Sequence, residues 1–171
     1  MDLSKVPAGK NPQEGEINVV IEIPEGSFIK YEMDKEMGAI VVDRFATTTM
    51  AFPANYGFVP QSHGEDGDPL DVLLITPVPV APGVVVSSRV IGMLEMEDEA
   101  GIDTKIIALA SKKADPFHAH INSIEDLSDI DKKKIKHYFD HYKDLEPNKW
   151  VKTKDFLGVD KALEAIKKSL T

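Results

Sequence analysis

The densest concentration of reactive side chains in this sequence is Asp66-Gly67-Asp68-Pro69-Leu70-Asp71-Val72. Three carboxylates fall within six residues there, and charges so crowded repel unless counter-charge is supplied. Asp-Gly makes a turn, Pro69 stiffens it, and Leu70 and Val72 anchor Asp71 at the mouth of a buried strand. Hard divalent cations, which prefer oxygen ligands, are the natural counter-charge. A bare Asp-Gly-Asp is more often a solvated acidic turn. Asp71 weighs against that reading but leaves it open.

A second acidic run is Glu97-Asp98-Glu99-Ala100-Gly101-Ile102-Asp103-Thr104-Lys105. By itself it reads as a solvated turn between strands, and its acids lack the spacing of an EF-hand. Asp103 and Lys105 are two apart, however, so on a strand they share a face. An acid beside a base at a strand start suits a metal and an anion together. Glu22 lies among Val19, Val20, Ile21 and Ile23, where a carboxylate belongs only if a polar cavity faces it. Lys30 and Glu32 are also two apart, but that pair alone fits a surface ion pair better. Phe52 to Phe58 reads as an aromatic loop able to plug the core. Lys143, following Tyr142 at a helix end, suits the helix dipole. His137 and His141 stand four apart on the same helix without an HExxH pattern, and read as interface or surface histidines rather than zinc ligands.

The elements that must position these groups change character along the chain. Residues 17–23, 28–33 and 39–44 read as strands, and 51–60 as an ordered loop. Residues 71–76, 83–95 and 103–110 are apolar and β-branched, which predicts buried strands. Beyond Pro116, Ile135, Tyr138, Phe139 and Tyr142 recur at helical spacing and predict a helix over 128–143, stopped by Pro147. Asp160 is the expected N-cap of a terminal helix carrying Leu163, Ile166 and Leu170. Many strands followed by two helices indicate an α+β fold, a small barrel or strongly curved sheet with helices against it. The length fits one domain spanning 1–171.

Lys plus Arg number 20 and Asp plus Glu 29, giving a formal net charge of −9. A body that negative, without a basic stripe, argues against nucleic acid and anionic membrane as partners. No apolar stretch is long enough to span a bilayer. The absence of cysteine excludes disulfides, thiolate metal sites and a cysteine nucleophile, and suits a reducing compartment. The first sixteen residues lack the apolar run of a secretory signal, so the expected address is the cytoplasm.

DGDPLDV followed by DEAGIDTK resembles the soluble family I inorganic pyrophosphatases of bacteria. So do IEIP at 21–24, KYE at 30–32, DRF at 43–45, PANYGF at 53–58 and HYKDLEPNKWVK at 141–152, in the same order. The resemblance implies a small closed five-stranded β-barrel of OB-like shape with two main helices outside. It implies Mg²⁺-dependent hydrolysis of pyrophosphate to two orthophosphates, without a covalent intermediate. Carried over position by position, Asp66, Asp71 and Asp103 resemble ligands of the water-activating metals. Asp98, with Asp103 and Glu22, resembles the site for metals that arrive with substrate, and Asp68 the carboxylate that takes the proton. Lys30, Arg44, Lys105, Tyr142 and Lys143 resemble phosphate-holding groups, with Glu32 and Tyr56 in support. Phe52 departs from the tyrosine of many relatives and is left out of the site. Family members of this type are commonly homohexamers, and the same state is implied here.

Charge arithmetic on this implied site gives seven carboxylates against four bases, a pocket at −3. Such a pocket should reject a polyanion until divalent cations bind. Two rival classes are a metal-dependent phosphodiesterase or nucleotidase, distinguished by substrate, and a non-catalytic OB-type binding module, disfavoured for nucleic acid by the net charge.

Overall fold

The computed structural model describes residues 2–170. The chain forms β1 (Glu16–Ile23), β2 (Ile29–Asp34), β3 (Ala39–Phe45), β4 (Asn55–Phe58), β5 (Asp71–Ile75), β6 (Val85–Asp98), β7 (Gly101–Ala110), α1 (Asp129–His141), β8 (Val151–Leu157) and α2 (Val159–Ser169). Five strands follow the order β1-β4-β5-β7-β6, and β6 returns to β1 over Glu16↔Arg89 to Val20↔Val85, closing a ring. The β5–β7 pairing is parallel and the other four are antiparallel. β8 runs along the far half of β6, and β2 and β3 form a separate antiparallel hairpin. The expected α+β arrangement, a five-stranded ring with two helices, is the one observed.

The strands of the ring are buried on both faces. In β5, Leu73 joins one core cluster while Val72 and Leu74 join another; in β7, Ile107 and Leu109 alternate in the same way with Ile106 and Ala108. Helix α1 completes the first cluster with Ile135, Tyr138 and Phe139, and α2 completes the second with Ala162 and Ile166. Two covered faces leave no polar alternation, so these strands read as continuous apolar runs. Each fully buried Leu or Ile contributes about 1.5–3 kcal/mol.

Two glycines let backbone approach backbone in this ring. A Cβ on Gly57 would lie 2.0 Å from the Val20 carbonyl oxygen, across the β1–β4 pairing. A Cβ on Gly92 would lie 2.6 Å from the Leu157 carbonyl oxygen, beside a bulge between Val90 and Gly92 where β6 turns from the ring toward β8. Such bulges bend a strand and re-aim its side chains.

Four expectations need correction. Part of the expected 51–60 loop is β4, because Asn55–Phe58 is hydrogen-bonded between β1 and β5. Local composition hides this: Asn55 is a poor strand former, yet it is fully buried and donates from Nδ2 to Leu74 O (2.9 Å) and to Thr76 Oγ1 (2.7 Å). β8 lies between the helices, where no strand was expected. Its V-K-T-K-D-F-L sequence is polar because it borders the sheet. Helix α1 ends at His141, with Tyr142 as C-cap, so Pro147 does not stop it. Gly158, not Asp160, is the N-cap of α2; Asp160 sits in the first turn, where its charge complements the helix dipole.

Candidate active site

The site is assembled by register. The parallel pairing Val72↔Ile106 sets Asp71, at the start of β5, beside Lys105, midway along β7. Lys105 Nζ lies 2.6 Å from Asp71 Oδ2 and 2.9 Å from Asp103 Oδ2, and it donates to the Tyr56 hydroxyl at 2.9 Å. Asp103 and Lys105 therefore share a face of β7, as their spacing requires. Lys105 is only 4% exposed. Burial disfavours its charge, but Asp71, Tyr56 and Asp103 outweigh burial and hold the ammonium well above the usual lysine range. The same burial raises the Asp103 carboxyl and the Tyr56 phenol.

Glu22 faces the cavity from β1 with 8% exposure. Its Oε1 accepts from the Met33 amide at 2.8 Å. Burial, and then the charges of Asp71 and Glu32, push its carboxyl up to about 7, against the lowering effect of that amide and of Lys30. A buried carboxyl raised this far in a polar cavity marks a candidate functional group.

Asp98, at the end of β6, lies 3.2 Å from Lys143 Nζ beyond α1. Burial opposes its charge, yet the Ala100 amide and Lys143 together hold the carboxyl below the ordinary range. The Tyr142 phenol is raised by burial. Arg44 and Lys30 reach in from the β2–β3 hairpin, where Asp43 is the extra residue of a bulge on β3, and Lys30 and Glu32, two apart on β2, both border the cavity. Lys30 pairs with Asp43 at 3.0 Å across the hairpin. Arg44 bridges Asp43, at 3.0 Å, and Glu146. Asp43 and Glu146 were not singled out from the sequence, although they lie inside the DRF and HYKDLEPNKW segments. An acid adjoining a catalytic-type base was the available signal.

Asp66 and Asp68 come from the loop joining β4 to β5. Asp66 Oδ1 accepts from the Asp68 amide at 3.0 Å, and Lys35 Nζ stands 3.4 Å from Asp68 Oδ1. All thirteen residues singled out from the sequence border one cavity of about 770 Å³. Phe52 borders it too, with its ring 5.0 Å from that of Tyr138 and 5.9 Å from that of Tyr56. His137 and His141 lie outside it, exposed on α1 with ring centroids 4.8 Å apart.

Among the described residues, no three carboxylate or imidazole groups converge into a ready ion cage. The cation between Asp71 and Asp103 is the Lys105 ammonium. The metal-ligand candidates in the cavity, Glu22, Asp66, Asp71, Asp98 and Asp103, are nonetheless all carboxylates, which fits a hard divalent cation better than zinc bound through histidine or thiolate.

Residues 19–171 match the model of the family described as inorganic pyrophosphatase. The chain belongs to the inorganic pyrophosphatase family. It is 55% identical over 170 residues to an inorganic pyrophosphatase of Aquifex pyrophilus, covering 99% of this chain and 96% of that one. The structure of the inorganic pyrophosphatase from Helicobacter pylori superposes with a TM-score of 0.93 at 48% identity, over 97% of this chain and 96% of the other. That from Thermus thermophilus gives a TM-score of 0.94 at 41% identity, over 99% and 97%. The family resemblance of the motifs thus extends through the fold as a whole. No helix among the described residues is long and apolar enough to cross a membrane.

Proposed function

We propose that this chain hydrolyses inorganic pyrophosphate to two orthophosphates, with Mg²⁺ as cofactor and Asp68 as general base. The observation that carries the reading is the Asp71–Lys105–Asp103 cluster, a buried cation between two carboxylates inside a cavity ringed by further acids and bases. The names of the relatives support the substrate.

Asp66, Asp71 and Asp103 would hold the water-activating Mg²⁺, and Asp98, Asp103 and Glu22 the Mg²⁺ that accompanies substrate. When bound, Mg²⁺ would lower the pKa of a water and neutralise the pyrophosphate charge. Asp68 is suited to accept the proton of the attacking water: its side chain is 75% exposed to the cavity mouth, against 31% for Asp71. Lys30, Arg44, Tyr142 and Lys143 point donors at phosphate oxygens, and Lys105 holds Asp71 and Asp103 as well as offering charge to the phosphate. Asp43 and Glu146 fix the Arg44 guanidinium, and Glu32 and Tyr56 support the wall. Phosphoryl transfer depends mainly on positioning and electrostatic stabilisation of this kind.

We extend the same reading to a single catalytic domain over 1–171, a homohexamer in the cytoplasm, and no nucleic-acid or membrane partner. The decisive experiment is phosphate release from pyrophosphate with and without Mg²⁺, beside ATP and a phosphodiester. Rapid release from pyrophosphate alone, and only with Mg²⁺, is expected. Preferred cleavage of ATP or the diester would make the chain a nucleotidase or phosphodiesterase.

A further inference from the structure

The segment between β4 and β5 is long for a connection inside a compact fold, and loops of this length are usually functional. Its tip is closed on itself: the Gly64 amide donates to Asp68 O at 2.6 Å and the Gly67 amide to Gly64 O at 3.0 Å. The tip also docks on α2, where the His63 amide donates to Ser169 O at 2.8 Å and Lys168 pairs with Glu65. The neck is closed separately. The Val59 amide donates to Leu70 O at 2.9 Å. Ser62, 1% exposed, donates from Oγ to Val59 O at 2.6 Å and accepts from the Leu70 amide at 2.8 Å.

We infer that Ser62 is a positioning residue for the acidic loop: its hydroxyl joins the two ends of the loop and so fixes where Asp68 and Asp71 stand relative to each other. This rests on the pyrophosphate reading of the site. Leu70 is bonded directly to Asp71, so fixing the Leu70 amide orients the peptide that leads into Asp71. On the other side lies Pro69, whose ring locks φ and transmits the same constraint to Asp68. The tip keeps its own shape and its hold on α2 without Ser62. What the hydroxyl adds is the relation of the tip to β5, and therefore of the proton acceptor to the ligand set. An alanine would leave the Leu70 N–H and the Val59 C=O without that partner.

The test compares the parent, Ser62→Ala, Ser62→Thr and, as a destabilised control in the core cluster that does not contain the loop ends, Ile135→Val. Each is assayed for phosphate release, for Mg²⁺ binding by calorimetry and for hydrogen exchange at the Leu70 amide. Misplacement by a fraction of an ångström suffices for about a tenfold fall in kcat. That fall is expected for Ser62→Ala, with KM within about twofold of the parent, weaker Mg²⁺ binding and a faster-exchanging Leu70 amide. Ser62→Thr should restore all three, and Ile135→Val should lower only the thermal midpoint. If Ser62→Ala fails to fold, Ser62→Cys, a weaker donor and acceptor, takes its place with the same readouts. Unchanged kcat and Mg²⁺ binding in the variant, or a threonine variant as impaired as the alanine, would overturn the inference. A parent that binds Mg²⁺ but releases no phosphate would instead overturn the pyrophosphate reading, while exchange at Leu70 would still report on the clasp.

Discussion

The Lys105 ammonium stands 2.6 Å from the Asp71 carboxylate, with Asp103 on its other side at 2.9 Å. A lysine so enclosed serves first as counter-charge to the acids. Lys105→Met removes that charge and should destabilise the metal-free protein by about 2–3 kcal/mol, below the full cost of breaking a buried pair because Asp71 and Asp103 are partly solvated. It also leaves the acids more negative, so Mg²⁺ should bind more tightly while the KM for pyrophosphate rises. Calorimetric Mg²⁺ titration of the variant decides this. Weaker Mg²⁺ binding than in the parent would contradict the counter-charge role.

Glu22 makes the stability of the metal-free protein depend on pH. Its carboxyl is raised from 4.5 to about 7 on folding. Below 4.5 it is protonated in both states and costs nothing; above 7 it is charged in both and the full penalty applies. Stability should therefore fall as pH rises through that window, by up to roughly 3 kcal/mol. Glu22→Gln keeps an oxygen for the Met33 amide and removes the charge. In EDTA it should be more stable than the parent at pH 8 and equal to it at pH 4.5, as read by thermal denaturation. A constant difference across this range would exclude Glu22 as the source.

The strands β1, β5, β6 and β7 were legible because both their faces are buried, which leaves an unbroken apolar signal. β4 and β8 were not. Asn55 earns its place through side-chain bonds to Leu74 and Thr76, residues far along the chain, and Thr153 in β8 through Asp140 of α1, whose carboxylate accepts from its amide at 2.8 Å and its hydroxyl at 3.0 Å. Neither bond leaves a local pattern. Within the site, Asp103 beside Lys105 followed from strand period, and Glu22 from its incongruity among Val and Ile. Asp43 and Glu146 escaped because their role is to hold Arg44, and Glu146 meets Arg44 only through tertiary contact.

Replacing the metal distinguishes binding from chemistry. Ca²⁺ should occupy the same oxygen donors, yet it is larger, accepts looser geometry and acidifies water less than Mg²⁺. Protein stripped with EDTA should be inactive, regain activity with Mg²⁺, and stay inactive with Ca²⁺, which should also inhibit in competition with Mg²⁺. Phosphate release across mixtures of the two ions measures this. Robust turnover with Ca²⁺ alone would contradict the proposed site.

Asp68 and Asp71 share a motif but differ in surroundings, and their roles should separate on mutation. Asp71 is half-buried against Lys105, while Asp68 is exposed with Lys35 3.4 Å away. Asp71→Asn replaces a charged ligand oxygen with a neutral amide beside the buried ammonium. It should weaken Mg²⁺ binding markedly and lower the rate at every attainable Mg²⁺ concentration. Asp68→Asn is nearly isosteric and removes only the proton acceptor, so kcat should fall by about 10²–10⁴-fold while Mg²⁺ and pyrophosphate still bind. The Asp68 amide keeps its bond to Asp66 in that variant, because the bond is made by the backbone. Mg²⁺ calorimetry and turnover, on variants first shown to be folded, separate the two outcomes. Equal loss of Mg²⁺ binding in both would make Asp68 a ligand and leave the proton acceptor to be found elsewhere.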